Sequence, residues 1–245
     1  VAWLNLLLLF GLTQTAQAPP ILAEVDVPSS IPLTHQGFEQ YGFSSGPDDL
    51  TPPYSSAQIR QFRDQVISYA STVEAAYPLV LKVLQPTHPV GGPITILISY
   101  RFQQAAAQTD GSRIRVNAAY AEDNPRDMGI IVHELVHVVQ GYRADDPKWL
   151  VEGMADYVRY YFYEPGSSRL ILRASTANYD EGYEATAGFL DWVVRNYDKD
   201  LIKDLNQQLY EGIYSDDSWL KLTGHSLTQL NLEWKSTLQH SLFSY

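Results

Sequence analysis

The run His133-Glu134-Leu135-Val136-His137 sets two imidazoles four positions apart, with a carboxylate beside the first. Side chains four apart on an α-helix point the same way, so His133 and His137 can grip one metal ion together. Glu134 then faces the open side of that ion, where a general base is needed to take a proton from an attacking water. Zinc suits these donors best, because it accepts imidazole and carboxylate and keeps one position for water in catalytic sites. The competing explanation is a pair of core histidines satisfied by hydrogen bonds. The setting argues against it. Ile130, Ile131, Val132, Leu135, Val136, Val138 and Val139 make this helix apolar on nearly every side, hence buried. Two imidazoles and a carboxylate inside a buried helix must be paired or coordinated, since burying them bare is costly.

A catalytic zinc commonly has three protein ligands. The Gly and third His that follow some motifs of this kind are absent, because Gln140 and Arg143 hold those places. A second helical stretch follows instead, Pro147 to Tyr163, with Asp146 as its cap and Pro147 at the first helical position. Glu152 lies near its start, and Asp156 lies four residues later on the same face. Glu152 can serve as the third ligand. Asp156 can receive the spare ring N–H of a ligand histidine and fix its tautomer. An acidic pair favoured by the helix dipole is the other explanation for both. An oxyanion formed at the site needs a donor beside the metal. Tyr183, at the head of a later helix, is the candidate; a packing aromatic with a wet hydroxyl is its alternative. His35, His88, His225 and His240 read as surface or capping residues.

The elements that must position these groups follow from patterning. Ser55 to Leu84 carries Ile59, Phe62, Val66, Tyr69, Val73 and Tyr77 at three-to-four spacing, which predicts a helix with one buried face. Ile94 to Tyr100 is apolar and β-branched and reads as a strand. Asp110-Gly111 signals a turn. Ser112 to Ala118 then alternates, with Ile114 and Val116 inward, so it reads as a half-exposed strand. Asn124-Pro125 starts the metal-binding helix. Glu164-Pro165-Gly166 turns the chain, and Leu170 to Leu172 reads as a short extended segment. Helices are expected from about Glu181 to Tyr197, from Leu201 to Tyr210, and from a capping box at Ser226-Leu227-Thr228-Gln229 to about His240. The layout is α+β: a small mixed sheet, then a largely helical C-terminal half.

Seventeen basic and 28 acidic residues give −11 at pH 7, which argues against nucleic acid or an anionic membrane surface as the partner. The chain has no Cys, so disulfides and thiolate chemistry are excluded, although export is not. Residues 3–12 form an apolar run too short to span a bilayer, and Ala16-Gln17-Ala18 has the form of a signal peptidase site. Residues 1–18 therefore read as a signal peptide incomplete at its start. Residues 19–54 read as a linker or N-terminal arm rich in Pro, Gly, Ser and Asp, and 55–241 as one domain.

Three stretches together resemble the basic secretory protein family of plants and bacteria, zinc peptidases of the zincin type. They are AAAQTDGSRIRVNAAY (105–120), IIVHELVHVVQGY with WLVEGMADYVR (130–159), and GYEATAGFLDW (182–192). The resemblance covers roughly 55–240, and the combination is specific where each part alone is weak. It implies His133, His137 and Glu152 as zinc ligands and Glu134 as catalytic base. It also implies a zincin-like fold in which 112–118 is the strand bordering the cleft. One departure is plain: the family is named for basic members, and this chain is acidic. The expectation is a secreted or periplasmic zinc peptidase that takes a peptide or protein substrate, pairing it by strand addition along 112–118. Two other functions fit the same motifs: a metal hydrolase of small esters or amides, and a non-catalytic zincin-like binding or defence module. The intact Glu134 argues against the last.

Overall fold

The computed structural model describes residues 18–25, 55–88, 90, 92–143, 147–167 and 172–240. The signal-peptide run at 3–12, the Asp146 cap and most of the Leu170–Leu172 segment lie outside the described residues.

Four strands form one mixed sheet: β1 (Ile21–Val25), β2 (Ile94–Ser99), β3 (Ala107–Asp110) and β4 (Arg113–Asn117), in the order β1-β2-β4-β3. β1, β2 and β4 run parallel, and β3 returns antiparallel to β4. β2 has the β-branched run that suits a central strand: Ile94, Ile96 and Ile98 are all buried. The turn at Asp110-Gly111 is a two-residue hairpin loop, Gly111-Ser112, since Asp110 pairs with Arg113. Gly111 sits at φ +59, which the tight loop demands and glycine supplies without strain.

Two findings correct the sequence reading of the sheet. Ile21–Val25 falls in the stretch taken for linker, yet it pairs with all of Ile94–Ile98. Its five residues are too few, and its surroundings too rich in proline, to announce a strand. The second correction concerns the strand beside the cleft. The 112–118 strand is internal, bonded to β2 on one side and β3 on the other. The edge is β3. Alternation in 112–118 reports that one face is buried, and it carries no information about which neighbours fill the lateral hydrogen bonds.

The long helix α1 (Ser56–Leu84) begins at a full capping box in which Ser55 and Gln58 bond reciprocally. It buries the expected stripe, from Ile59 through Tyr77, against the sheet and against α3 (Gly129–Gln140). A short helix, α2 (Ala118–Asp123), with Asn117 as its cap, separates β4 from α3. Every residue of α3 except Ile130 and His137 is buried, as its all-round apolar pattern requires. The helix packs against α1, β3 and α4 (Lys148–Val158). Pro147 caps α4 from outside rather than opening it. At Arg159 the helix widens into a π-helical turn, Arg159–Tyr163, so the expected single helix to Tyr163 is two geometries in series. The helical half continues with α5 (Tyr183–Asn196), α6 (Leu201–Glu211), α7 (Asp217–Thr223) and α8 (Leu227–His240), and Ser226 and Gln229 form the expected box at the start of α8. Among the described residues no helix is long and apolar enough to cross a membrane.

Candidate active site

His133, Glu134 and His137 all come from α3, and Glu152 and Asp156 come from α4. One metal-ligand atom each of His133, His137 and Glu152 lies within 4.8 Å of the others. His133 Nε2 is 3.1 Å from His137 Nε2 and 3.2 Å from Glu152 Oε2, and His137 Nε2 is 3.5 Å from the same oxygen. The dipole explanation for the acidic pair fails, because neither Glu152 nor Asp156 falls in the first turn of α4. Both carboxylates are aimed at His133 instead.

What orients the two imidazoles is visible on their far sides. His133 Nδ1 donates to Asp156 Oδ1 at 2.6 Å, inside the protein, where both side chains are nearly inaccessible. His137 Nδ1 donates to Gln140 Oε1 at 2.8 Å, and the amide of Gln140 is itself fixed by donating through Nε2 to Val151 O at 3.3 Å. With both Nδ1 protons committed, the lone pairs of both Nε2 atoms and the Glu152 carboxylate converge on one small volume. Such a set repels itself unless a cation sits among it, a proton on His133 when no metal is bound, so the donors fit a metal ion that displaces that proton. Sequence reasoning noted Gln140 only as a mismatch to a longer motif. Its spacing, three residues after His137 on a buried helix, was the signal that it would sit beside that ring.

Charge accumulates accordingly. Burial pushes the His133 imidazole toward neutrality, but the hydrogen bonds and charges of Asp156, Glu152 and Glu134 outweigh it and raise the ring from 6.5 to about 10. Burial pushes the Glu152 carboxyl up, and the two histidines pull it well below the carboxylate range. The site is thus built to hold positive charge.

These groups line a cleft of about 810 Å³, together with Gln104 to Thr109, Tyr160, Tyr183 and Glu184. Tyr183 stands at its mouth, 51% exposed, with its ring 6.2 Å from that of His133. It is the first residue of α5, so the helix starts later than the Glu181 expected. The reason is local backbone: Gly182 sits at φ +77 and Tyr183 at φ +49. A bulky side chain at positive φ is strained, and such residues persist where surrounding contacts impose them. Here the constraint is Thr186, fully buried, which accepts from Gly182 N at 3.0 Å and donates to Tyr179 O at 2.6 Å. Thr186 in turn fits against Gly153 of α4, where a Cβ would come 2.1 Å from its methyl group. Glycine next to Glu152 therefore lets α5 approach closely enough to hold Tyr183 over His133.

Two more features fix the site. Asp127 accepts from Ile130 N at 3.1 Å and from Arg159 Nη2 at 2.7 Å, tying the start of α3 to the π-helical turn. Thr109, on β3, donates to Glu134 Oε2 at 2.7 Å. Sequence reasoning missed both Thr109 and Gln140 as functional residues.

The family model for BSP, described as a peptidase of plants and bacteria, matches residues 53–234. The chain belongs to this family. The match spans the sheet from β2 onward, both helices that carry the candidate ligands, and nearly all of the helical half. It agrees with the family that the three motif stretches resemble, and peptide or protein substrates follow from it. No curated protein and no solved structure matches the chain.

Proposed function

We propose that this member of the peptidase family is an exported, zinc-dependent enzyme of the zincin type. The observation that carries the reading is the convergence of His133 Nε2, His137 Nε2 and Glu152 with both Nδ1 atoms already committed. A tetrahedral zinc with bonds of roughly 2.0–2.1 Å sets its ligand atoms about 3.3 Å apart. The separations of 3.1, 3.2 and 3.5 Å support that ion. Bound there, zinc would lower the pKa of a water and polarise a carbonyl. The chain's own groups supply the rest. Glu134 has one oxygen held by Thr109, and its other oxygen takes the proton of the attacking water and passes it to the leaving nitrogen. Tyr183 donates its hydroxyl to the oxyanion; its pKa is raised, by burial first and then by the charges of Glu152, Asp156 and Glu134, which keeps that proton in place. The outer edge of β3 has no strand partner among the described residues and lies along the cleft, so an extended peptide can pair with it.

Glu134→Gln tests the mechanism. The variant should bind zinc as the wild type does and lose most peptide hydrolysis, on the order of a hundredfold or more. Equal hydrolysis by the two proteins would rule out Glu134 as the base. Export rests on the 3–12 run and the Ala16-Gln17-Ala18 site. N-terminal sequencing of protein from the medium or periplasm should find a start near Ala18, and recovery of intact chain from cytosol alone would refute it.

A further inference from the structure

β3 alternates its faces. Ala107 and Thr109 stand opposite Val116 and Ile114, both fully buried, so these four share the row that faces the helices. An inward position of this kind suits valine, which has the shape of threonine without the hydroxyl. The chain places a hydroxyl there, and it goes to the general base. Thr109 Oγ1 is 2.7 Å from Glu134 Oε2 and 3.1 Å from Glu134 O. A hydroxyl carries one proton, so two oxygens of a single residue share it, and the shorter contact is the charge-assisted one. The terminal torsion of a glutamate is broad, so a carboxylate without a partner does not choose where its second oxygen points.

We propose that Thr109 is the positioning residue of Glu134. It holds Oε2 and so directs Oε1 toward the attacking water. The inference rests on the peptidase reading above and adds one thing to it. The base is registered to β3, the strand whose free edge takes the peptide, and not to its own helix alone. Substrate backbone and base therefore share one rigid reference, which is what a reaction sensitive to placement needs.

The test uses the full chain loaded with zinc. Thr109→Val removes the hydroxyl and keeps the shape, and Thr109→Ser keeps the hydroxyl. Thr109→Ala replaces the Val variant should the added methyl crowd Glu134. The Val variant should bind zinc within about twofold of wild type, keep KM, and lose on the order of tenfold in kcat, the scale of one charge-assisted hydrogen bond. The Ser variant should recover most of that loss. In a Glu134→Gln background, Thr109→Val should cause no further loss, because the two act through one group. An unchanged kcat in the Val variant, a Ser variant as impaired as Val, or a further loss in the Gln background would each overturn the proposal. Crystal structures of the Val and Ser variants give a readout apart from activity. The Glu134 carboxylate should leave its wild-type position in Val and keep it in Ser. If the wild type cleaves no peptide, the peptidase reading fails, and the carboxylate position still decides Thr109: a Glu134 unmoved in the Val variant overturns it.

Discussion

Gly153→Ala puts a methyl group where α4 and α5 touch. The new Cβ would lie 2.1 Å from Thr186 Cγ2 and 2.5 Å from Thr186 Cβ. Ordinary contact begins near 3.4 Å, so the helices must separate by about 1.3 Å or Thr186 must leave its rotamer. Neither is easy. Thr186 is fully buried, and its hydroxyl holds both Tyr179 O and Gly182 N. Overpacking of this kind costs about 1–3 kcal/mol. For a domain of this size each kcal/mol is worth ~2–4 °C, so the melting temperature should fall by roughly 2–12 °C. The displaced element carries Tyr183, so kcat should fall as well, and a misplacement near 1 Å can cost on the order of a hundredfold. Zinc affinity should change less, because Glu152 and both histidines sit on the other side of the contact. The assay is a thermal melt beside a zinc titration and steady-state kinetics on one peptide. Thr186→Ser, which removes Cγ2 and keeps the hydroxyl, should restore part of the loss in the double variant. A Gly153→Ala protein with wild-type melting temperature and kcat would refute the argument that this glycine sets the α4–α5 distance.

Zinc titrations separate the two carboxylates of α4. Glu152→Ala should bind zinc poorly at any practical concentration, while Asp156→Ala should remain a zinc protein with affinity about 10–100-fold weaker; equal near-wild-type affinities would remove Glu152 from the ligand set. The pH dependence of the chelated protein has a defined sign. His133 is raised from 6.5 to about 10, so its contribution is fully present below 6.5 and is lost as pH climbs through 10. Glu152 is lowered from 4.5, so its contribution is present above 4.5 and is lost as pH falls further. The chelated protein should therefore melt highest between about pH 4.5 and 6.5 and lower at pH 9. Zinc competes with protons for these ligands, so the stabilisation by added zinc should grow across the same range. Melts with and without zinc at pH 6 and 9 check both statements, and a chelated protein as stable at pH 9 as at pH 6 would contradict the first.

How much of this was legible depended on whether a feature announces itself locally. α3 did: a helix apolar on nearly every side has few interpretations, and its two imidazoles and one carboxylate, His133, Glu134 and His137, stand out from it. α1 did through its apolar stripe at three-to-four spacing, and α8 through its capping box. The sheet did so only in part. β2 and β4 carry branched residues, whereas β3 is Ala-Gln-Thr-Asp and β1 is five residues that find their partner some seventy positions away. Which strand forms the edge is a property of pairing, and one strand's pattern does not contain it. Gln140 and Thr109 were missed for a related reason. Each is an uncharged polar residue whose significance lies in what it touches: Thr109 reaches Glu134 on α3, and Gln140 joins His137 of its own helix to Val151 O of α4.

Each imidazole of the site is held, directly or through one intermediary, by a contact that crosses between elements. His133 is on α3 and its acceptor Asp156 on α4; His137 is on α3, and the amide that fixes it is anchored on Val151 O of α4. Glu152 is on α4 itself. The three donors therefore converge only while α3 and α4 keep their packing, and a cation drawn to those donors favours that packing in return. The proposed base obeys the same logic one layer out, since Glu134 is on α3 and its partner Thr109 on β3. A buried helix with charged groups would be a liability alone. Held between a strand that supplies a hydroxyl and a helix that supplies two carboxylates and a carbonyl, its polar atoms are satisfied on the inside and left with electron pairs facing the cleft. That division explains why Gln140, at 1% exposure, is a polar residue in the core: a leucine there would pack, but it would leave the His137 ring free to turn.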